Sequence, residues 1–352
     1  MWRVVETWVN RYFADEEAVL LLLLLLAGLV LVITMGGIAA PIIAALGFAF
    51  LLQGAVNFLK RWRVPHLLAV AIVFTAFVGL FVLVLIFLVP MVIHQSSNLV
   101  AEIPGMLKRG QEALQLLPER YPHLISEARL VEFTTYANAE ARKFAEVALT
   151  FSVSQFPNLI GLLVYLILVP LMVFFILKDR QQLITMFAGL LPERRPVMRA
   201  VWEEMNAQIA NYIRGKAAEI LIVGVVSYFS FLALGLRYSA LLALSVGLSV
   251  LIPYIGAAVV TVPILIVGYF QWGWGNEFIW LAVIYGVIQF LDGNVLVPLL
   301  FSEAVNLHPL SIILAVLVFG GVWGFWGVFF AIPLATLIKA LYNAWPQHEK
   351  TR

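Results

Sequence analysis

The chain of 352 residues contains no cysteine, which excludes disulfides, thiolate metal sites and cysteine nucleophiles but leaves the compartment open. Charge is scarce too. Asp, Glu, Lys and Arg make up 12% of the residues, against about 25% in ordinary soluble domains. Five histidines occur, with no His-Glu-x-x-His, and the nearest approach to a serine elbow, Gly247-Leu-Ser-Val-Leu251, lacks its closing glycine. No G-x-x-x-x-G-K-[ST] loop is present, so ATP is not the direct energy source. These absences argue against an enzyme, and no cofactor, metal or nucleic-acid partner is expected. The scarcity is most acute between Arg237 and Lys339, where about a hundred residues carry only three charges, Glu277, Asp292 and Glu303, all of them acidic.

What fills the chain instead is apolar. Hydrophobic residues reach 63% and the mean hydropathy is +0.99. A spanning helix needs about 20 predominantly apolar residues, and several runs qualify. The expected fold is an all-α polytopic membrane protein with about eight transmembrane helices, broken helices in its C-terminal half and a small extracytoplasmic helical domain.

The sequence divides as follows. Residues 1–17 read as an interfacial amphipathic helix with Trp2, Val5, Trp8, Val9 and Tyr12 at helical spacing. The apolar run after it is longer than a signal-peptide core and has no small-x-small cleavage site, so no cleavage is expected. Residues 18–94 hold spans at about 18–35, 38–58 and 66–93, and residues 155–178 hold a fourth. Residues 95–154 are punctuated by Pro104-Gly105 and Leu117-Pro-Glu-Arg-Tyr-Pro122, and read as the small extracytoplasmic domain. Residues 193–214 carry an apolar stripe of Met198, Val201, Trp202, Met205, Ile209, Tyr212 and Ile213. That stripe fits a helix lying on the cytoplasmic membrane surface, and equally a lever joining a moving half to a static half. Residues 217–342 form a C-terminal bundle with spans at about 217–236, 239–270, 278–301 and 309–340. Lys and Arg collect after the second, fourth and eighth spans, which places both termini in the cytoplasm.

The C-terminal bundle carries the candidate site. Helix-breaking signals fall at membrane depth in Ile252-Pro-Tyr-Ile-Gly256, Val262-Pro263, Asp292-Gly-Asn294 and Val297-Pro298. Irregular backbone in a bilayer survives only when buried in protein or lining a wet cavity, and transporters use broken helices to present free backbone groups to a substrate or ion. A single proline can also do no more than kink a packed helix. Re-entrant hairpins and kinked spans are both compatible with these signals. A carboxylate in a span costs about +2.5 to 3.5 kcal/mol on insertion scales, so Asp292 requires a partner, a wet cavity or a task. Otherwise it is an Asp-Gly turn at the membrane surface. The transport, substrate or ion-coupling candidates are Gln289, Asp292, Gly293, Asn294 and Pro298, with Pro253, Tyr254 and Gly256 at the first break. Glu303, Asn306 and His308 join them, or lie in a solvated loop between the last two spans. Asp292, Glu303 and His308 could carry a proton, or bind a cation through oxygen. Gly320, Gly321, Gly324 and Gly327 read as close helix packing, because Gly320 and Gly324 have the spacing that lets backbones approach in lipid. Trp323 and Trp326 beside them could instead stack on a ligand.

Pro170-Leu-Met-Val-Phe-Phe175, Asn211-Tyr-Ile-Arg-Gly-Lys216, Ile252-Pro-Tyr-Ile-Gly256, Leu291-Asp-Gly-Asn-Val-Leu-Val-Pro298, Glu303-Ala-Val-Asn-Leu-His-Pro309 and the glycine-rich run ending in Ala331-Ile-Pro333 together resemble PerM-type permeases. These belong to the autoinducer-2 exporter family of bacterial inner-membrane proteins. The resemblance covers nearly the whole chain. It implies an eight-span subunit in the lipid bilayer, a homo-oligomer (pentamers are seen in relatives) and elevator-like alternating access. It names no substrate, since relatives are associated with autoinducer-2 export and, in other branches, with sodium/proton antiport. The expected function is a secondary transporter that exports a small polar solute or signal molecule, coupled to H+ or Na+. A monovalent cation/proton antiporter and an uncoupled pore are the alternatives.

Overall fold

The computed structural model describes residues 15–115, 159–253, 255–301 and 307–345. All regular structure among them is helical. Six described helices are long and apolar enough to cross a membrane. Leu23, Leu67, Leu80, Phe229, Phe290 and Leu299 are each more than half exposed, as expected of side chains that face lipid. The protein is an all-α, multi-pass membrane protein.

Helix α1 spans Glu16–Thr34, α2 Gly36–Arg61 and α3 His66–Leu83. The Asp15 carboxylate caps α1 by accepting from the Ala18 amide at 3.0 Å. A π-helical turn over Val84–Leu88 joins α3 to α4, Val89–Gln115, and α5 follows at Leu159–Lys178. One apolar core, including Ala45, Val56, Val70, Val73, Val173 and Leu177, binds α2, α3 and α5 together. Helix α4 passes through Pro104 without a break and runs into the expected extracytoplasmic domain. The rest of that domain, from residue 116 to 154, lies outside the described residues, as do the first residues of the expected fourth span up to 158 and the interfacial helix expected at 1–17 up to residue 14.

After the short α6, Arg180–Ala188, helix α7 runs unbroken over Pro196–Ala233. Its 38 residues extend about 57 Å at 1.5 Å each, nearly twice the ~30 Å hydrocarbon core. The helix read from sequence as lying on the membrane surface at 193–214 is therefore the first half of α7, continuous with the span expected at 217–236. Most of its stripe is covered by protein, Trp202 being exposed: Val201 and Met205 pack against Leu21 of α1 and against Leu337, Ala340 and Leu341 farther on. Glu17 accepts from the Met198 amide at 2.7 Å, supplying one of the acceptors that the N-terminus of α7 lacks.

Two expected spans are hairpins. The first, at 239–270, divides into α8, Ser239–Ser249, and α9, Ile255–Trp272. Pro253 has no amide proton to continue the helix, and Gly256 sits so close to the Ser249 carbonyl that a Cβ there would clash with it. These residues are seven apart, about 10 Å along a straight helix, so the chain has turned back. At 11 residues, α8 reaches only about 16 Å and cannot cross the bilayer. Helix α9 continues through Pro263, so the expected break at Val262-Pro263 is absent. The second hairpin lies in α12, Pro309–Phe329, followed by α13, Ala331–Ala344. Gly324 adopts φ 60° and ψ −136°, a conformation open in practice to glycine alone. The chain reverses there, laying Gly320 against Val328 and Gly327 against the Phe319 carbonyl.

Between the hairpins, α10 (Asn276–Leu291), a π-helical turn at Asp292–Leu296 and α11 (Val297–Phe301) form one helical rod. The Asp292-Gly-Asn294 and Val297-Pro298 signals thus mark a bulge in a continuous helix. A wide turn of this kind re-aims side chains without ending the hydrogen-bond ladder. Helices α7 to α10 share a core built from Val223, Phe231, Leu242, Val246, Ile264, Leu281 and Tyr285.

Candidate transport site

The site is built on one face of α7. Gly215 lets the Phe301 ring lie against the helix backbone, since a Cβ there would stand 2.7 Å from Phe301 Cε1. Next to it, Lys216 is 4% exposed and Glu219 is 2% exposed. The spacing of three puts both side chains on the same face. Lys216 Nζ lies 2.8 Å from Glu219 Oε2 and donates to the Val250 carbonyl at 2.7 Å. It also sits 5.3 Å from the centre of the Phe301 ring, within cation–π range. The Lys216–Glu219 contact is a close ion pair, and Glu219 Oε2 has no other protein partner. One turn earlier, Tyr212 donates to the Phe329 carbonyl at 2.9 Å while its ring packs on Phe301 and Phe329.

Asp292 approaches from the π-helical bulge, within electrostatic reach of both Lys216 and Glu219. Its Oδ1 is buried and accepts no hydrogen bond from protein. One ammonium thus faces two carboxylates, and the cluster carries a formal charge of −1. The cluster lies where both hairpins converge. Val250 follows α8 at the tip of the first hairpin, and Phe329 lies on the returning leg of the second, beyond its reversal at Gly324. Ile252, at the tip of the first hairpin, packs against the buried cluster of Ala315, Val316 and Ala331 in the second.

The sequence candidates fall in several places. Gln289 stands one turn before Asp292 and donates to Tyr285 Oη at 2.9 Å, which also receives a 3.2 Å bond from Thr261. Pro253 and Gly256 shape the first hairpin tip. Tyr254, Glu303 and Asn306 lie outside the described residues. Asn294 is turned away, bonding back to the Phe290 carbonyl at 2.9 Å, and Gly293 and Pro298 are exposed. His308 caps α12, its Nδ1 accepting from the Leu310 amide at 3.2 Å. Gly320, Gly324 and Gly327 belong to the second reversal, and Gly321 has open space around it. Trp323 stacks on Phe330 and keeps a buried Nε1 without a protein acceptor. No group of three or more metal-ligating side chains occurs among the described residues. Lys216 and Glu219 are the functional residues that sequence reasoning passed over. The signal was available, because Glu219 stands inside an apolar run as Asp292 does.

A pattern for "AI-2E family transporter" matches residues 19–347. The chain belongs to the AI-2E transporter family. PerM of Escherichia coli (strain K12), designated a permease, is 45% identical over 98% of both chains. TqsA of the same organism, named an AI-2 transport protein, is 26% identical over 86% of this chain and 84% of its own. YueF of Bacillus subtilis (strain 168), designated a transport protein, is 25% identical over 83% of this chain and 80% of its own. This AI-2E member is therefore a transport protein and not an enzyme. The Lys216–Glu219–Asp292 cluster and the paired hairpins are the candidate site of this transport protein.

Proposed function

We propose that this AI-2E family protein is a secondary transporter of the bacterial inner membrane, with both termini cytoplasmic. It exports a small polar solute by elevator-like alternating access coupled to H+ or Na+, and works as a homo-oligomer. The observation that carries the reading is the buried Lys216–Glu219 pair with the partly buried Asp292 beside it, at the meeting point of two helical hairpins. Charge at membrane depth is retained where it binds or couples, and hairpin tips at such a cluster are the parts that open and close around a passing solute. The name of TqsA supports a signal molecule as the solute. Asp292→Asn is expected to abolish gradient-driven flux in proteoliposomes while size-exclusion chromatography shows unchanged assembly. Undiminished flux with the same pH and sodium dependence would refute the coupling role. The excess of carboxylates over ammonium in the cluster favours a second reading, monovalent cation/proton antiport, in which the cation is itself the cargo. Steady, gradient-independent conductance in a planar bilayer would instead identify a pore.

A further inference from the structure

Each hairpin leaves a backbone carbonyl that its own helix does not satisfy, because the last turn of a helix has no following amides and a proline has none to give. In lipid such carbonyls need donors from elsewhere in the protein. Two of these donors come from neighbouring turns of α7. Tyr212 Oη donates at 2.9 Å to the carbonyl of Phe329, on the returning leg of the second hairpin, whose partner one turn on, Pro333, has no amide to give. Lys216 Nζ donates to the carbonyl of Val250, where the first hairpin's α8 ends, at 2.7 Å. The residues are four apart, so both project from one face of a rigid helix. Phe301 fills the space between them, against the Tyr212 ring, the Gly215 backbone and the Lys216 ammonium.

We propose that Tyr212 and Lys216 are positioning residues, each clasping one hairpin to α7, so that the two hairpins are held shut by separate, individually releasable bonds. The proposal rests on the transporter reading, in which the hairpins are gates, and assigns each gate its own latch. Tyr212 holds the second hairpin through one hydroxyl, and removing it leaves the ring and its packing in place. Lys216 holds the first hairpin while its remaining donors face Glu219. A solute group that accepts from Lys216 competes directly with the Val250 carbonyl, which links occupancy to release of that tip.

The native absence of cysteine permits a direct test. Spin labels are placed on the full-length protein in nanodiscs at Ile72→Cys as a fixed reference on α3. Each sample carries a second label at Leu248→Cys on the first hairpin or at Val322→Cys on the second. All three native side chains are 47–54% exposed. In the Tyr212→Phe background, the Ile72–Val322 pair is expected to gain a second, longer distance population while the Ile72–Leu248 pair stays as in the parent. In the Lys216→Met background the pattern reverses. Because Lys216→Met strands Glu219, the Lys216→Met/Glu219→Gln double variant is measured alongside and is expected to show the same selective release. Equal broadening of both pairs in either background, or no new population in any variant, overturns the clasp. The readout needs no solute, so it is independent of the transport reading. Selective release in a protein that moves no solute keeps the clasp and defeats that reading; unresponsive hairpins in an active transporter do the reverse.

Discussion

Replacing Lys216 by methionine tests whether the buried ion pair is an interdependent unit. Methionine keeps most of the side-chain volume and leaves the Phe301 contact apolar. Glu219, 2% exposed, is left without its ammonium and beside a second carboxylate, Asp292. Removing one partner of a buried pair costs about 3–5 kcal/mol, because the remaining charge has lost its compensation. The Val250 carbonyl also loses its donor, a penalty of about 1–3 kcal/mol that partly overlaps the first. Glu219→Gln should cost less, since Lys216 retains the Val250 carbonyl, the Phe301 ring and Asp292. In the double variant Lys216→Met/Glu219→Gln both charges are gone, and only the carbonyl penalty of about 1–3 kcal/mol remains. The ordering expected is therefore Lys216→Met worst, with the double variant recovering about 2 kcal/mol of the loss. Unfolding of the purified protein against SDS mole fraction, followed by fluorescence of its 10 tryptophans, measures all three. Additive losses, or a Glu219→Gln variant as damaged as Lys216→Met, would refute the reasoning.

The same unfolding assay checks both reversals. Gly256→Ala drives a methyl into the Ser249 carbonyl, a backbone obstacle that cannot rotate away, so a loss at or above the upper end of ~1–3 kcal/mol is expected. Gly28→Ala, on an open face of α1, should be neutral or gain about 0.5–1 kcal/mol from better helix propensity; a comparable loss at both sites would contradict the close-contact argument. Gly324→Ala must adopt φ 60° and is expected to lose about 1–3 kcal/mol, whereas Gly321→Ala meets nothing within 4 Å and should leave the midpoint in place.

Parts of this arrangement were legible in the sequence because they rest on composition or on a residue with one dominant physical effect. Asp292 stood out as a lone charge among apolar neighbours, and Pro253 beside Gly256 marked a true reversal. Pro263 gave the same signal and no break, because a packed helix can absorb one missing amide by curving slightly. The glycines at 320–327 were visible as a run, but their spacing fits helix packing as well as a hairpin. Only the positive φ of Gly324 separates the two, and a backbone angle is not written in residue spacing. Lys216 escaped because it closes a basic cluster and reads as the end of a cytoplasmic segment. The apolar stripe of residues 198–213 has the same helical period on a membrane surface as inside a protein, so periodicity could not tell which of them covered it.

Lys216 and Glu219 are explained by the same feature that makes the hairpins possible. A chain that turns back inside lipid leaves carbonyls without partners, and α7 is the helix close enough to both turns to supply donors. A tyrosine reaches one carbonyl while keeping its ring in the apolar packing. The other is reached by a lysine, whose charge in turn requires a carboxylate, and Glu219 lies one helical turn away to provide it. Asp292 then makes the cluster anionic in excess of its own cation. An excess carboxylate in this position is costly to stability and contributes nothing to holding either hairpin, since its buried oxygen accepts no protein hydrogen bond. Structural necessity accounts for the pair on α7 and leaves the carboxylate on the bulge unaccounted for, which is the physical reason to propose coupling at Asp292 and clasping at Tyr212 and Lys216.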